Sequence, residues 1–203
     1  VTISKGSAYG VRGAPLPADG VVVASDHEAR LLLEAARRSK QPYPTLGLIG
    51  GDLCHTLGGL RDEGRLRSLD AVTFPVDVAE VSVDGRSHIF VAHCVARSPL
   101  WRRAVAVMNA QWFRDWNLGP RAHPNDGVLD VSEARLSLRD LVKVRARLAT
   151  GSHLPHPDIR VRRAAELRVE LDRPLTIWLD GEVADRGREL SFRVDPDALV
   201  VVV

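Results

Sequence analysis

Residues able to do chemistry sit at a few turns and pairs along the chain. His153-Leu154-Pro155-His156 has metal-like spacing, but its proline marks a loop, and no Cys or carboxylate partner lies nearby to complete a zinc set. Cys54-His55 and His93-Cys94 each join a thiol to an imidazole. Adjacent strand residues face opposite ways, so both cysteines read as small buried apolar side chains. Asp126-Gly127 and Asp180-Gly181-Glu182 place carboxylates at glycine turns. By themselves these are an Asx-capped turn and an ordinary hairpin turn. Asp26 follows the apolar run Val21–Ala24 and reads as part of a helix start. Arg135 to Arg168 is rich in arginine and opposed by Asp140, Asp158 and Glu166. It is either a solvated basic face or a surface for phosphates and headgroups.

The elements that must position these residues fall into two grammars. Val1–Gly20, with Lys5-Gly6, Gly10, Gly13, Pro15 and Pro17, is a loop-rich leader. Val21–Ala24 reads as a buried strand. A helix follows, opened by the capping box Ser25…Glu28, with Ala29, Leu32, Leu33 and Ala36 on one face and Pro42 and Pro44 beyond its end. Leu46–Ile49 is a second buried strand, running through Gly50-Gly51 into a short helix from about Asp52 to Leu57. Strand, helix, strand, glycine turn, helix is a parallel α/β unit. From Val72 onward, strands are separated by turns: Val76 to Val83, an Asp84-Gly85 hairpin, Ile89–Ala96, Ala104–Met108, Val128–Ala134, Leu167–Leu171, Leu175–Leu179, Leu190–Val194 and Leu199–Val203. One helix, Ser137–Leu148, interrupts them. The expected fold class is α+β: a truncated parallel α/β lobe over residues 1–65, then a larger antiparallel β-sandwich-like lobe over 66–203.

Composition narrows the classes. A chain of 203 residues with 45% hydrophobic content has the material for a core without disulfide or metal staples. Its net charge of +2 gives no argument for a nucleic-acid partner. Two separated cysteines fit a reducing compartment. Val1–Gly20 lacks the apolar core of a secretion signal, and no apolar run approaches the ~20 residues of a membrane helix. The expectation is a cytoplasmic protein whose membrane contact is peripheral.

The order of several motifs resembles the C-terminal lobe of bacterial diacylglycerol kinase-like lipid kinases. These are Asn109-Ala110, the run Pro120-Arg121-Ala122-His123-Pro124-Asn125-Asp126-Gly127-Val128-Leu129-Asp130, Gly151-Ser152-His153, Asp180-Gly181-Glu182 and Asp195-Pro196-Asp197-Ala198-Leu199. The family pattern is Asn-Gly, Pro-x-Ala with Asp-Gly-x-Leu-Asp, Gly-x-His and Asp-Gly-Glu. Upstream, the family's Gly-Gly-Asp-Gly-Thr is replaced by Ala24-Ser25-Asp26-His27-Glu28, which keeps only the Asp. Its Gly-Thr-Gly-Asn-Asp is contracted to Gly50-Gly51-Asp52, too few residues precede Val21 for its opening strand–helix units, and Gln111–Asn117 replaces a Gly-rich stretch.

The resemblance implies that Asp180 is the general base on a lipid hydroxyl, with Glu182 beside it. It implies that Asp26, Asp52 and Asp77, with Gly50 and Gly51, hold Mg²⁺ and ATP phosphates, and that Asp126 and the Val128 carbonyl hold a structural metal. The lost glycines argue against ATP. His27 and Glu28 place a side chain and a negative charge where triphosphate would approach bare backbone. Two functions remain. One is a homologue with weak or absent phosphorylation that binds a lipid, an anionic small molecule or a protein through a cleft between lobes. The other is an active lipid kinase. A homodimer is a further expectation, as it would supply a missing part of the nucleotide lobe.

Overall fold

The protein was studied as a computed structural model, which describes residues 9–203; Lys5-Gly6 of the expected leader lie outside the described residues. Strands dominate. β1 (Val11–Arg12) and β2 (Val21–Val23) precede α1 (Asp26–Arg38), β3 (Leu46–Leu48), α2 (Gly51–Thr56) and α3 (Glu63–Leu66). Then come β4 (Val72–Val83), β5 (Arg86–Phe90), β6 (His93–Arg97), β7 (Arg103–Met108) and β8 (Leu129–Arg135). α4 (Leu138–Arg147), β9 (Ile159–Ala164), β10 (Glu166–Leu179) and β11 (Glu182–Val202) complete the chain. No described helix is long and apolar enough to cross a membrane.

The strands form one continuous sheet in the order β1-β4-β11-β10-β6-β7-β8-β9, with β5 on β4. Every pairing along that path is antiparallel. Alternating residues of β4, β6, β7, β8, β10 and β11 meet in one core, including Val81, Val107, Val131, Ile177 and Phe192. The sheet therefore curls on itself, and this is the expected sandwich-like lobe. β2 and β3 pair in parallel, and β3 pairs in parallel with the end of β11, Leu46 opposite Val201. A second core forms there, with Leu33, Leu46, Leu53, Val76, Ile89 and Leu199.

Local chemistry sets the boundaries. Glu28 N donates to Ser25 Oγ at 3.2 Å, as a capping box requires. The reciprocal bond reaches one residue further back, from Ala24 N to Glu28 Oε2 at 2.7 Å. The strands expected at Leu167–Leu171 and Leu175–Leu179 are one strand with a register shift over Asp172-Arg173-Pro174, and those at Leu190–Val194 and Leu199–Val203 are joined through a second shift between Asp195 and Leu199. Proline, with no N–H for the ladder, is tolerated at such bulges. Conversely, the expected strand Ile89–Ala96 divides at Val91-Ala92 into β5 and β6, because the N–H groups there serve a side chain instead of a neighbouring strand.

Candidate functional site: an acidic cluster and an apolar cavity

That side chain is Asp180. Asp180-Gly181 joins β10 to β11 as a two-residue hairpin turn with both φ angles positive, 51° and 87°, which Asp-Gly tolerates well. Its side chain is fully buried. Oδ1 accepts from Ala92 N (2.9 Å), His93 N (3.2 Å) and Val91 N (3.3 Å), while Oδ2 accepts from Val91 N (3.1 Å) and lies 3.7 Å from Arg30 Nε. Burial raises its pKa, opposed by the charge of His93 and by these N–H groups.

Asp26, at the start of α1, is also buried. Its carboxylate accepts from Asp52 N at 2.5 Å and Leu53 N at 3.1 Å, and so caps the N-terminus of α2. Burial, then the charge of Asp180, raises its pKa to about 7. The two glycines permit this approach. A Cβ on Gly50 would lie 2.2 Å from Ala24 O, and one on Gly51 (φ 92°) would lie 2.5 Å from Asp26 Oδ1. Gly50 admits the Ala24 carbonyl, and Gly51 admits the protein's own carboxylate at the position expected to bind phosphate.

Asp52 Oδ1 accepts from Arg114 N at 2.7 Å, and Oδ2 lies 2.8 Å from His93 Nε2. Burial pulls His93 down, but the Asp52 hydrogen bond and the charges of Asp180, Asp52 and Asp26 outweigh it, so the imidazole is held above its ordinary pKa. His93 is the residue that sequence reasoning missed. Its neighbour Cys94 faces the sandwich core while His93 faces the acids, as strand alternation requires.

Asp26, Asp52 and His93 each offer one ligand atom within 4.8 Å of the others. Mg²⁺ nonetheless fits poorly, because it takes an oxygen shell of carboxylates and water. Here the carboxylate lone pairs are engaged by backbone N–H groups and an imidazole, and the positive charge is supplied by His93 and Arg30. Glu182 is exposed at the head of β11, and its side chain makes no hydrogen bond or ion pair among the described residues.

Asp77 belongs to a different cluster. Its carboxylate accepts from Gly127 N (2.8 Å) and Asp197 N (3.0 Å), which ties β4 to the turn before β8 and to the bulge in β11. Asp126 Oδ1 accepts from Val128 N at 3.2 Å, an Asx turn, while Oδ2 pairs with Arg163 Nη2. Arg163 Nε also donates to Asp130 Oδ2 at 3.0 Å. A guanidinium therefore occupies the cation position that Asp126 and Val128 were expected to offer a metal. His156 is half-buried and its Nδ1 accepts from Asp158 N at 3.1 Å, so it forms no metal pair with buried His153.

Beneath α4 lies a small apolar cavity of about 50 Å³ that opens to the surface. Trp101, Trp116, Leu136, Leu141, Val144 and His153 are among its walls. His153 is 3% exposed, and burial lowers its pKa, opposed by the nearby Leu118 backbone. Phe113 links the two regions, with its ring 4.8 Å from His93 and 5.7 Å from Trp101. Only a faint sign of this cavity is visible in the sequence, in Trp112 and Trp116 of the segment that replaces a Gly-rich stretch.

A family model described as the YegS C-terminal NAD kinase beta sandwich-like domain matches residues 64–203. No curated protein matches the chain. Among solved structures, similar folds occur in Bacillus anthracis str. Sterne. Two structures of a protein to which diacylglycerol kinase activity is ascribed, with TM-scores of 0.68 and 0.63, each share 15% identity and cover 90% of this chain and 77% of theirs. A third, titled a diacylglycerol kinase, has a TM-score of 0.60 at 15% identity, covering 90% of this chain and 75% of its own.

Proposed function

Because the chain belongs to the YegS C-terminal NAD kinase beta sandwich-like family, and with it to the diacylglycerol and lipid kinase-like proteins, we propose that it is a lipid-binding homologue with weak or absent phosphoryl transfer from ATP. One observation carries this reading: Asp26 fills the N-terminus of α2, bonded to the N–H groups of Asp52 and Leu53. Phosphoryl transfer rests on positioning and charge stabilisation. A nucleotide phosphate would have to displace a bonded carboxylate and, once that carboxylate is ionised, face repulsion of about 4 kcal/mol at about 4 Å. Asp180, the residue in the place of the family's base, has both oxygens engaged and no solvent exposure. Residues 1–65 are then a reduced counterpart of the nucleotide lobe, and 66–203 the C-terminal lobe. The ligand's alkyl chain occupies the cavity beneath α4, where each buried methylene contributes about 0.8 kcal/mol.

A second reading, an active lipid kinase with Asp180 as general base and Glu182 beside it, is favoured by the proximity of Asp26, Asp52 and His93. Calorimetric titration with ATP and Mg²⁺, paired with a radiolabelled assay of diacylglycerol phosphorylation, separates the two. The expected result is no heat up to millimolar ATP and no labelled lipid, with micromolar binding of a fluorescent fatty-acyl probe that diacylglycerol displaces. Micromolar ATP binding, with turnover that Asp180→Asn abolishes, would establish the kinase instead.

A further inference from the structure

The connection from β6 to β7 meets the start of α4 at a basic groove, and exposed apolar side chains lie in the groove and on the adjoining turns of α4. Leu100, in the connection, is 64% exposed; Leu138 and Val142, one turn apart on α4, are 58% and 70% exposed. Leu100 lines the groove together with Arg102, Arg103, Arg135 and Arg173, and Ser137, immediately before Leu138, closes its far side. Arg173 is there because the Asp172-Arg173-Pro174 bulge of β10 projects it.

Acidic groups neutralise only part of this charge. Asp172 pairs with Arg103 and lies 3.9 Å from Arg135. Asp140 is engaged by Ser137 and Lys143. Arg173 and Arg139 have no ion-pair partner among the described residues. The backbone of the edge is ordered, since Leu136 N donates to Arg102 O at 2.8 Å and Arg102 Nε returns to Leu136 O at 3.3 Å. Single exposed leucines are ordinary on a protein surface. Leu100 inside an arginine groove, with Leu138 and Val142 on the helix that starts at its wall residue Ser137, is not accounted for by the fold.

We infer that this edge is a membrane-docking surface for a bilayer with anionic headgroups. Its arginines meet lipid phosphates, and Leu100, Leu138 and Val142 enter the boundary of the acyl region. Charge decides the occupant. A second copy of the same edge would set arginine against arginine across a two-fold axis, whereas an anionic bilayer complements every one of them. Leu136 lines both the groove and the apolar cavity, so docking holds the cavity at the lipid surface. The inference does not rest on what the cavity binds.

Flotation of the full chain with vesicles tests it without ATP or diacylglycerol. Binding is expected to phosphatidylcholine vesicles containing about one-third phosphatidylglycerol, but not to phosphatidylcholine alone. It should be lost when salt rises from about 0.1 M to about 1 M, where the Debye length falls from about 10 Å to about 3 Å. Arg139→Gln and Arg173→Gln should each lower partitioning about fivefold, and L100E/L138E should abolish it. Leu69→Glu, at a site 81% exposed and outside this edge, should leave it unchanged. Equal binding to neutral vesicles, no binding to anionic ones, or undiminished binding by L100E/L138E with its circular dichroism intact would overturn the inference. So would a dimer in sedimentation velocity that L100E/L138E dissolves while vesicles are ignored, which would assign the edge to self-association.

Discussion

Asp26 binds two backbone N–H groups at the start of α2, and its raised pKa makes that arrangement sensitive to pH. Its folded pKa is about 7 against an ordinary value of 3.8. The folded state therefore holds a proton that the unfolded chain releases. Stability from this group is complete below about pH 4 and is lost as pH rises through about 7, on the order of a few kcal/mol. His93, also raised, acts in the same direction. The melting temperature should fall between pH 5 and pH 8, and Asp26→Asn should flatten that slope; thermal unfolding across this range checks it, and a wild-type curve without slope would contradict the assignment. Asp180 gives a second test at this scale. Asp180→Ala strands the N–H groups of Val91, Ala92 and His93 and should cost on the order of 3 kcal/mol in urea unfolding. A base held only for catalysis could be removed with the midpoint unchanged. Asp26, Asp52, Asp180 and the glycines were legible from residue order, but their partners were not. His93 comes from a strand whose interruption depends on a carboxylate far away in sequence, and local patterning carries no trace of it.

Elements show the same substitution of internal ions for external ones. Arg163 on β9 bridges Asp126 and Asp130, tying the edge strand to the turn before β8 where a metal was expected. Chelation by EDTA should leave the wild-type melting temperature unchanged. Arg163→Gln should lower stability by roughly 1–2 kcal/mol, the range for a charged hydrogen-bonded pair reduced for partial exposure. Millimolar Ca²⁺ should then restore part of the loss in that variant alone, as read by differential scanning fluorimetry; an EDTA-sensitive wild type would show that a metal holds the turn after all. β9 was not read from the sequence because Ile159-Arg160-Val161-Arg162-Arg163-Ala164 carries the charge of an edge strand and looks like part of a basic surface. α1 was read well because its cap, apolar face and proline stop all agree. β10 and β11 were read in halves because a proline-bearing bulge and a turn use the same residues, and only pairing to the neighbouring strand distinguishes them.

At the scale of the whole molecule, the curled sheet presents the acidic cluster on one side of Phe113 and the apolar cavity with its basic rim on the other. The cluster is internally satisfied, and the cavity and rim present apolar and positively charged surface, so function is expected to lie with the latter pair. Ala134→Phe separates them. Ala134 is a partly buried residue of β8 whose methyl faces the cavity beneath α4. A phenyl ring there fills space that an alkyl chain would occupy. Small-to-large changes cost about 1–3 kcal/mol where packing is already tight, but this wall borders open volume, so the melting temperature should hold or rise. Affinity for the fatty-acyl probe should fall at least about tenfold, equivalent to about 1.4 kcal/mol, while flotation with anionic vesicles stays unchanged. L100E/L138E should do the reverse, losing vesicles and keeping the probe. Loss of both activities in both variants would mean that cavity and rim act as a single site. Unchanged probe affinity in Ala134→Phe would move the ligand out of the cavity.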